Sequence, residues 1–409
     1  MYKVMTGGVT SPKGFMAAGL RAGVKPGKTN KDMAMIFSVN PAISAGVFTR
    51  NVVKAAPVLI DQKVVKEYET ARAVVVNSGN ANACTGAQGL ENVKATQKEA
   101  AKVLSIKEEE VLVCSTGVIG QQLPVDVILG GCGMLAKALC EDVSGGEDAA
   151  EAILTTDTCK KQVAVSVELG GKEVVIGAMC KGSGMIHPNM GTMLGFITTD
   201  AAISKELLQK ALSDIVEDTF NMVSVDGDTS TNDTVLVLAN GMAGNELIAE
   251  ENDDYQALKE ALTYVCESLA KQIAGDGEGC TRLFEVTANG AASKEEAKIL
   301  AKSVVTSSLT KAAVFGKDAN WGRILCAMGY SGVTFDPEKV DIVLESEEGR
   351  IQLVKDGLAT DYSEEFATKI LSRNPVKAIV DVKSGEYSAT AWGCDLTYEY
   401  VSINADYRS

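Results

Sequence analysis

Two apolar runs in this chain end in the same way. "ARAVVVNSGNANACTG" at 71–86 and "VLVCSTGVIG" at 111–120 each pass from consecutive Val, Leu and Cys residues straight into a polar, glycine-containing loop. Side chains alternate across a strand, so a half-exposed strand alternates apolar with polar, whereas one that is apolar at successive positions has both faces covered. The fold must therefore hold buried strands under material on both sides, and those strands must deliver polar loops at their ends. "VAVSVELGGKEVVIGAMC" at 163–180 alternates instead around Gly170-Gly171, the signature of a β-hairpin.

Helices separate these runs. Tyr255, Leu258, Leu262, Val265, Leu269 and Ile273 recur at spacings of three and four, with Gly275 as the stop signal of one amphipathic helix. Residues 91–104 and 294–308 carry similar periods. The last third returns to strand patterns in "VDIVLES", "RIQLVKD", "KAIVDV" and "DLTYEYVSI", with "SEEG" and "KSGE" as turns between them. Mixed strands and helices predict a layered α/β or α+β fold, and the hairpins argue against an all-parallel sheet. No linker or internal repeat marks a domain boundary, although 409 residues leave room for two or three domains.

A formal charge of -15 without a block of Lys or Arg repels phosphate backbones and anionic membrane surfaces, so neither nucleic acid nor membrane is an expected partner. An anionic substrate would have to be met by a local cation. The N-terminal residues show no signal-peptide pattern, and no apolar run reaches the roughly 18 residues of a membrane span, which reads as cytoplasmic. The ten cysteines include no C-x-x-C pair, so reduced, mostly buried thiols are expected rather than a zinc site or a disulfide framework.

The single histidine, His187, removes many chemistries. A Ser-His-Asp triad or multi-histidine metal site would have to use it, yet no G-x-S-x-G or H-E-x-x-H pattern supports either; beside Pro188 it reads as a loop residue. No phosphate-binding P-loop or dinucleotide fingerprint occurs, and "GDGEG" at 275–279 reads by itself as a helix end. What remains is a set of loops rich in Thr, Ser, Asn and Gly at strand ends. They suit the presentation of N–H and hydroxyl groups to an oxyanion, although turn formation explains any single loop as well. The residues alone reach an α/β enzyme suited to acyl transfer and go no further.

The segment "KGSGMIHPNMGTMLGFITTDAA" at 181–202 adds more. Together with "APVLID", "NSGNANACTG", "CSTGVIG", "TTDT", "VDGDTSTNDT", "GDGEG", "GKDANWGRI" and the terminal "INADYRS", in that order, it resembles the ornithine acetyltransferases, the bifunctional glutamate N-acetyltransferase family of arginine biosynthesis. The resemblance implies β-sheets sandwiched between helical layers in a self-processing, N-terminal-threonine nucleophile fold. It also implies a cut between Gly191 and Thr192, giving an α chain of 1–191 and a β chain of 192–409 in an α2β2 heterotetramer. Family members usually carry alanine where Gly191 stands; glycine keeps access to the carbonyl but loosens the backbone, which bears on the speed of the cut.

The implied reaction moves the acetyl group of N-acetylornithine to glutamate by a ping-pong exchange through an ester on Thr192, the nucleophile. A threonine hydroxyl is a weak nucleophile, but the amine freed beside it, with an ordinary pKa of about 7.7–8.0, can serve as its base. Thr116 and Gly117 match the family's oxyanion hole. Thr155, Lys181, Thr192, Glu278, Asn404 and Ser409 match its substrate-binding positions, Ser409 standing where threonine is common. No metal or organic cofactor is implied. Acetyl-CoA is a candidate second acetyl donor. The competing reading is an N-terminal-nucleophile amidohydrolase or aminopeptidase of related fold, which would pass the acyl group to water.

Overall fold

The computed structural model describes residues 1–187 and 193–406, in two β-sheets and their covering helices. The larger sheet contains β1 (Tyr2–Met5), β2 (Phe15–Leu20), β3 (Met33–Phe48), β4 (Thr70–Asn80), β5 (Val111–Val118), β6 (Lys161–Leu169), β7 (Lys172–Lys181), β8 (Leu194–Thr199) and β9 (Thr234–Ala239). Its order is β1-β6-β7-β8-β9-β3-β4-β5, with β2 beside the first half of β3. The pairs β4/β5 and β8/β9 are parallel and the others antiparallel, so the sheet is mixed, as the hairpins predict. The β6–β7 hairpin turns on Gly170 and Gly171, at φ of 54° and 75°, the left-handed pair that a tight hairpin turn needs.

The two strands of the opening observation lie side by side and are buried on both faces. Val74, Val76, Leu112 and Cys114 pack with residues of α1 (Ala56–Glu67) and α4 (Val143–Ala152). Ala73, Val75, Val111 and Val113 point the other way, into a core shared with α2 (Gly86–Leu104) and α3 (Val125–Ala138). Burying a side chain of this size stabilises by roughly 1.5–3 kcal/mol.

The smaller sheet runs β13 (Leu358–Ala359), β12 (Gly349–Lys355), β11 (Asp341–Ser346), β14 (Val376–Asp381), β10 (Leu283–Ala291), β15 (Tyr387–Cys394). Helices α5 (Lys205–Asp218) and α6 (Asp253–Gly275) cover the larger sheet, and α6 also touches β10 and β15, which places it between the sheets. All six apolar positions predicted for this helix are buried in it. Asn252 caps it by accepting from the Tyr255 N–H at 3.0 Å, and Asp253 and Asp254 suit the positive end of its dipole. Helices α7 (Lys294–Thr306), α8 (Ser308–Gly316), α9 (Trp321–Gly329) and α10 (Glu364–Leu371) complete the second half. This is the layered α/β arrangement expected from the sequence.

One expected strand is a helix. "DLTYEYVSI" forms a loop and then α11 (Tyr398–Asp406), because Asp395 ends β15 by accepting from the Thr281 and Arg282 N–H groups at 2.7 and 3.1 Å, and Thr397 Oγ1 accepts from Glu399 N at 3.2 Å to start a helix. No residue of α11 is buried, so the alternation of aromatic and polar residues does not mark a sheet face. All ten cysteines are free; Cys84, Cys159 and Cys326 are exposed, against the expectation that such thiols are mostly buried. No helix among the described residues is long and apolar enough to cross a membrane.

Candidate active site

The β4/β5 pair builds one wall of a cleft. Gly117 lies opposite Gly79 at a register shift, and a Cβ on it would stand 2.3 Å from the Gly79 carbonyl carbon and 2.5 Å from Asn80 N. With φ at 132° as well, only glycine fits there. The asparagines of "NSGNANACTG" are anchors for this wall. Asn77 Nδ2 donates to Asn80 O at 2.8 Å and Ser115 Oγ to Asn77 Oδ1 at 2.6 Å, while Asn82 Nδ2 donates to Gly89 O at 3.0 Å. Asn232 Nδ2 reaches across from the loop before β9 and donates to Ala81 O and Ser115 O at 2.6 and 2.7 Å. A fully satisfied buried network of this kind holds its backbone in one conformation.

The opposite wall is ionic. Lys161 is wholly buried, its Nζ 2.7 Å from Asp157 Oδ1 and 2.5 Å from Asp276 Oδ2, at the carbonyl end of α6. Asp157 also accepts from Gly182 N at 2.7 Å and from Thr155 N at 3.1 Å, and its Oδ2 lies 3.8 Å from Lys181 Nζ. Burial pushes the Asp157 pKa up, but Lys181, Lys161 and the Gly182 N–H outweigh it and hold the carboxyl well below the usual range. Burial works against the charge on Lys161, and Asp157 overcomes it, so the ammonium is strengthened. Asp276 ties in the "TTDT" loop by accepting from Thr158 N at 3.0 Å and from its hydroxyl.

The same turn positions Glu278. Ser183 Oγ donates to Asp276 O at 2.7 Å and Glu278 N to Ser183 O at 3.0 Å, which locks 275–279 against the segment following β7. A Cβ on Gly184 would stand 2.3 Å from the Glu278 carboxylate, so this glycine makes room for the acid. Asn404 of α11 donates to Glu278 Oε2 at 2.7 Å and brings the C-terminal helix to the cleft.

Thr116, Gly117, Thr155, Lys181, Glu278 and Asn404, far apart in sequence, therefore line one cleft with about 140 Å3 of room, together with Met193, Leu194, Thr231, Asn232 and Asp233. Gly191, Thr192 and Ser409 lie outside the described residues, and Met193, bonded to Thr192, is on the cleft wall. His187 is elsewhere. It lines a second cleft with Lys302 and Glu217, its Nδ1 3.0 Å from Ser224 Oγ, and burial aided by Lys302 pushes its pKa down to about 4. Sequence reasoning missed Asp157, Lys161, Asp276, Asn232 and Asp233. Their polar residue types gave no sign of burial; only Asp157, Asp276, Asn232 and Asp233 stood within quoted motifs, "TTDT", "GDGEG" and "VDGDTSTNDT". No cluster able to hold a metal ion occurs among the described residues.

Such a site, with backbone and hydroxyl donors on one wall and a buried cation on the other, on a layered α/β scaffold, defines a protein equipped to bind a small carboxylate and stabilise an oxyanion. The family model described as "ArgJ family" matches residues 16–409, and the chain belongs to that family. It is 49% identical over 407 residues to the arginine biosynthesis bifunctional protein ArgJ of Caldanaerobacter subterraneus subsp. tengcongensis, covering 100% of both chains. It is 47% identical over 405 residues to the protein of the same description from Bacillus subtilis, covering 99% of this chain and 97% of that one. A solved structure of arginine biosynthesis bifunctional protein argJ from Bacillus halodurans matches with a TM-score of 0.51 and 51% identity, over 52% of this chain and 99% of the solved one.

Proposed function

We propose that this chain transfers the acetyl group of N-acetylornithine to glutamate, releasing ornithine and forming N-acetylglutamate, in arginine biosynthesis. The observation that carries the reading is the convergence of Thr116, Gly117, Thr155, Lys181, Glu278 and Asn404 beside Met193, the residue that follows Thr192. In this reading the chain cuts itself between Gly191 and Thr192. The fragments 1–191 and 192–409 remain together, in an α2β2 assembly in the cytoplasm. The length of the solved Bacillus halodurans chain supports a cut of this kind, because nearly all of it matches only about half of this sequence.

Thr192 Oγ attacks the acetyl carbonyl, with the new α-amine as base. The Thr116 hydroxyl and Gly117 N–H stabilise the oxyanion, ornithine leaves, and glutamate takes the acetyl group from the ester. Lys181 pairs with the α-carboxylate that both amino acids share, and Asp157 fixes its position. Glu278, held by Asn404, faces the δ-ammonium of ornithine, and Ser409 completes the binding set. In this reading no metal or organic cofactor takes part; acetyl-CoA is a second candidate donor.

Incubating the purified protein with N-acetylornithine, with and without glutamate, tests the reading. N-acetylglutamate should accumulate only when glutamate is present. Acetate released at the same rate with or without glutamate would instead identify a hydrolase.

A further inference from the structure

Lys25 stands beside the cleft without a counter-ion. It lies in the loop after β2, half-buried, and its Nζ donates to Leu154 O at 2.7 Å, one residue before the cleft residues Thr155 and Thr156. No carboxylate pairs with it among the described residues, so two of its three ammonium N–H groups have no partner there. The loop that carries it is held in place. Asp32, wholly buried, accepts from Ala22 N at 2.6 Å, Gly23 N at 3.0 Å and Lys25 N at 3.1 Å, and the Asp32 carbonyl accepts from Ser78 N of β4 at 2.9 Å. The Lys25 stem then crosses Gly79. A Cβ there would stand 2.7 Å from Lys25 Cγ, and φ is 105°, so glycine leaves room for the stem. Gly79 is the register partner of Gly117, and Lys25 therefore runs from the oxyanion wall to the start of the "TTDT" loop.

The contact with Leu154 O, just past the end of α4, suits the negative end of that helix, but it occupies a single N–H. Burial pushes the Lys25 pKa down and Lys181 adds to that, against the pull of Asp32 and Asp157. The counter-ion of Lys181 is itself shared, since Asp157 lies 3.8 Å from Lys181 Nζ and 2.7 Å from Lys161 Nζ. Two like charges held near one another at a cleft repel, and an anion placed between them removes the repulsion. We propose that Lys25 is a second carboxylate-binding cation of this cleft, gripping together with Lys181 the α-carboxylate that N-acetylornithine and glutamate share. This rests on the proposed acetyl transfer, in which Lys181 marks the α-carboxylate end and Glu278 the side-chain end. Lys25 stands at the Lys181 end, and its four-carbon stem lets the ammonium follow the carboxylate while Leu154 O keeps one N–H.

Steady-state kinetics of the processed protein with N-acetylornithine and glutamate test the assignment. Lys25→Met keeps the length of the stem against Gly79 and removes the charge, and losing a hydrogen bond to a charged group costs about 10- to 100-fold in affinity. KM should rise by that factor for both substrates, with kcat and melting temperature near those of wild type. Lys25→Gln retains a donor for Leu154 O without the charge, whereas Lys25→Arg retains the charge. The arginine variant should bring both KM values back toward wild type and the glutamine variant should not, a split that fastening Leu154 alone would not produce. Wild-type KM values in Lys25→Met would overturn the proposal. So would a rise confined to one of the two substrates, or a Lys25→Arg variant that recovers no better than Lys25→Gln. A wild-type protein that forms no N-acetylglutamate would instead remove the functional reading, so the two failures are distinguishable.

Discussion

Replacing Asp157 by Asn should reveal how much the ionic wall contributes. The wild-type carboxylate is wholly buried, bonded to Lys161 at 2.7 Å, close to Lys181 at 3.8 Å, and accepts from two backbone N–H groups. The amide of the Asp157→Asn variant would fill the same space but leave Lys181 without a buried counter-ion and Lys161 with Asp276 alone. Breaking a buried pair by removing one partner costs about 3–5 kcal/mol. At roughly 2–4 °C per kcal/mol for a cooperative unit of 150–250 residues, the melting temperature of the processed protein should fall by about 6–20 °C at pH 7. The pH dependence carries a sign. The folded pKa of Asp157 lies below its unfolded value, so its contribution is full above the unfolded pKa of about 4 and disappears as the pH falls through the folded pKa. The gap between wild type and variant, measured by thermal melts from pH 7 downward, should therefore narrow in acid. A variant that melts within a degree of wild type at pH 7 would refute the assignment of this network as a stabilising wall.

Three other changes report on separate parts. Thr116→Ala should lower kcat by about 10²- to 10³-fold with little change in melting temperature, in a steady-state assay with N-acetylornithine and glutamate. Gly184→Ala, whose Cβ would stand 2.3 Å from the Glu278 carboxylate, should raise KM for N-acetylornithine more than it lowers kcat. The His187 pKa is pushed down to about 4, so folding resists its protonation and stability should fall as pH drops from about 6.5 to 4; His187→Gln should flatten that part of the profile without loss of acetyl transfer.

The legibility of the chain follows its physics. Val74 to Val76 and Val111 to Val113 are apolar at successive positions, and the structure covers both faces of their strands. The stripe from Tyr255 to Ile273 is readable for the same reason, since burial acts on residue types. "DLTYEYVSI" misleads because alternation is a signal only where one face is buried, and α11 buries none of its residues. The cleft is a different matter. Nothing in local pattern connects Thr116 with Lys181 or Asn404, and those positions were legible through resemblance to a family. Asp157, Lys161 and Asp276 escaped attention because a buried charge triad carries no local signature; each of the three reads in sequence as a solvated loop or strand-end charge.

The central claim is that the acetyl group passes through the chain that begins at Thr192. Mixing processed enzyme with N-acetylornithine labelled in the acetyl group, quenching within one turnover and analysing the fragments by mass spectrometry tests it directly. One labelled acetyl group should appear on the 192–409 fragment, located at Thr192 and lost to glutamate when glutamate is added. Label that never appears on that fragment, or that leaves it only as acetate, would contradict the account.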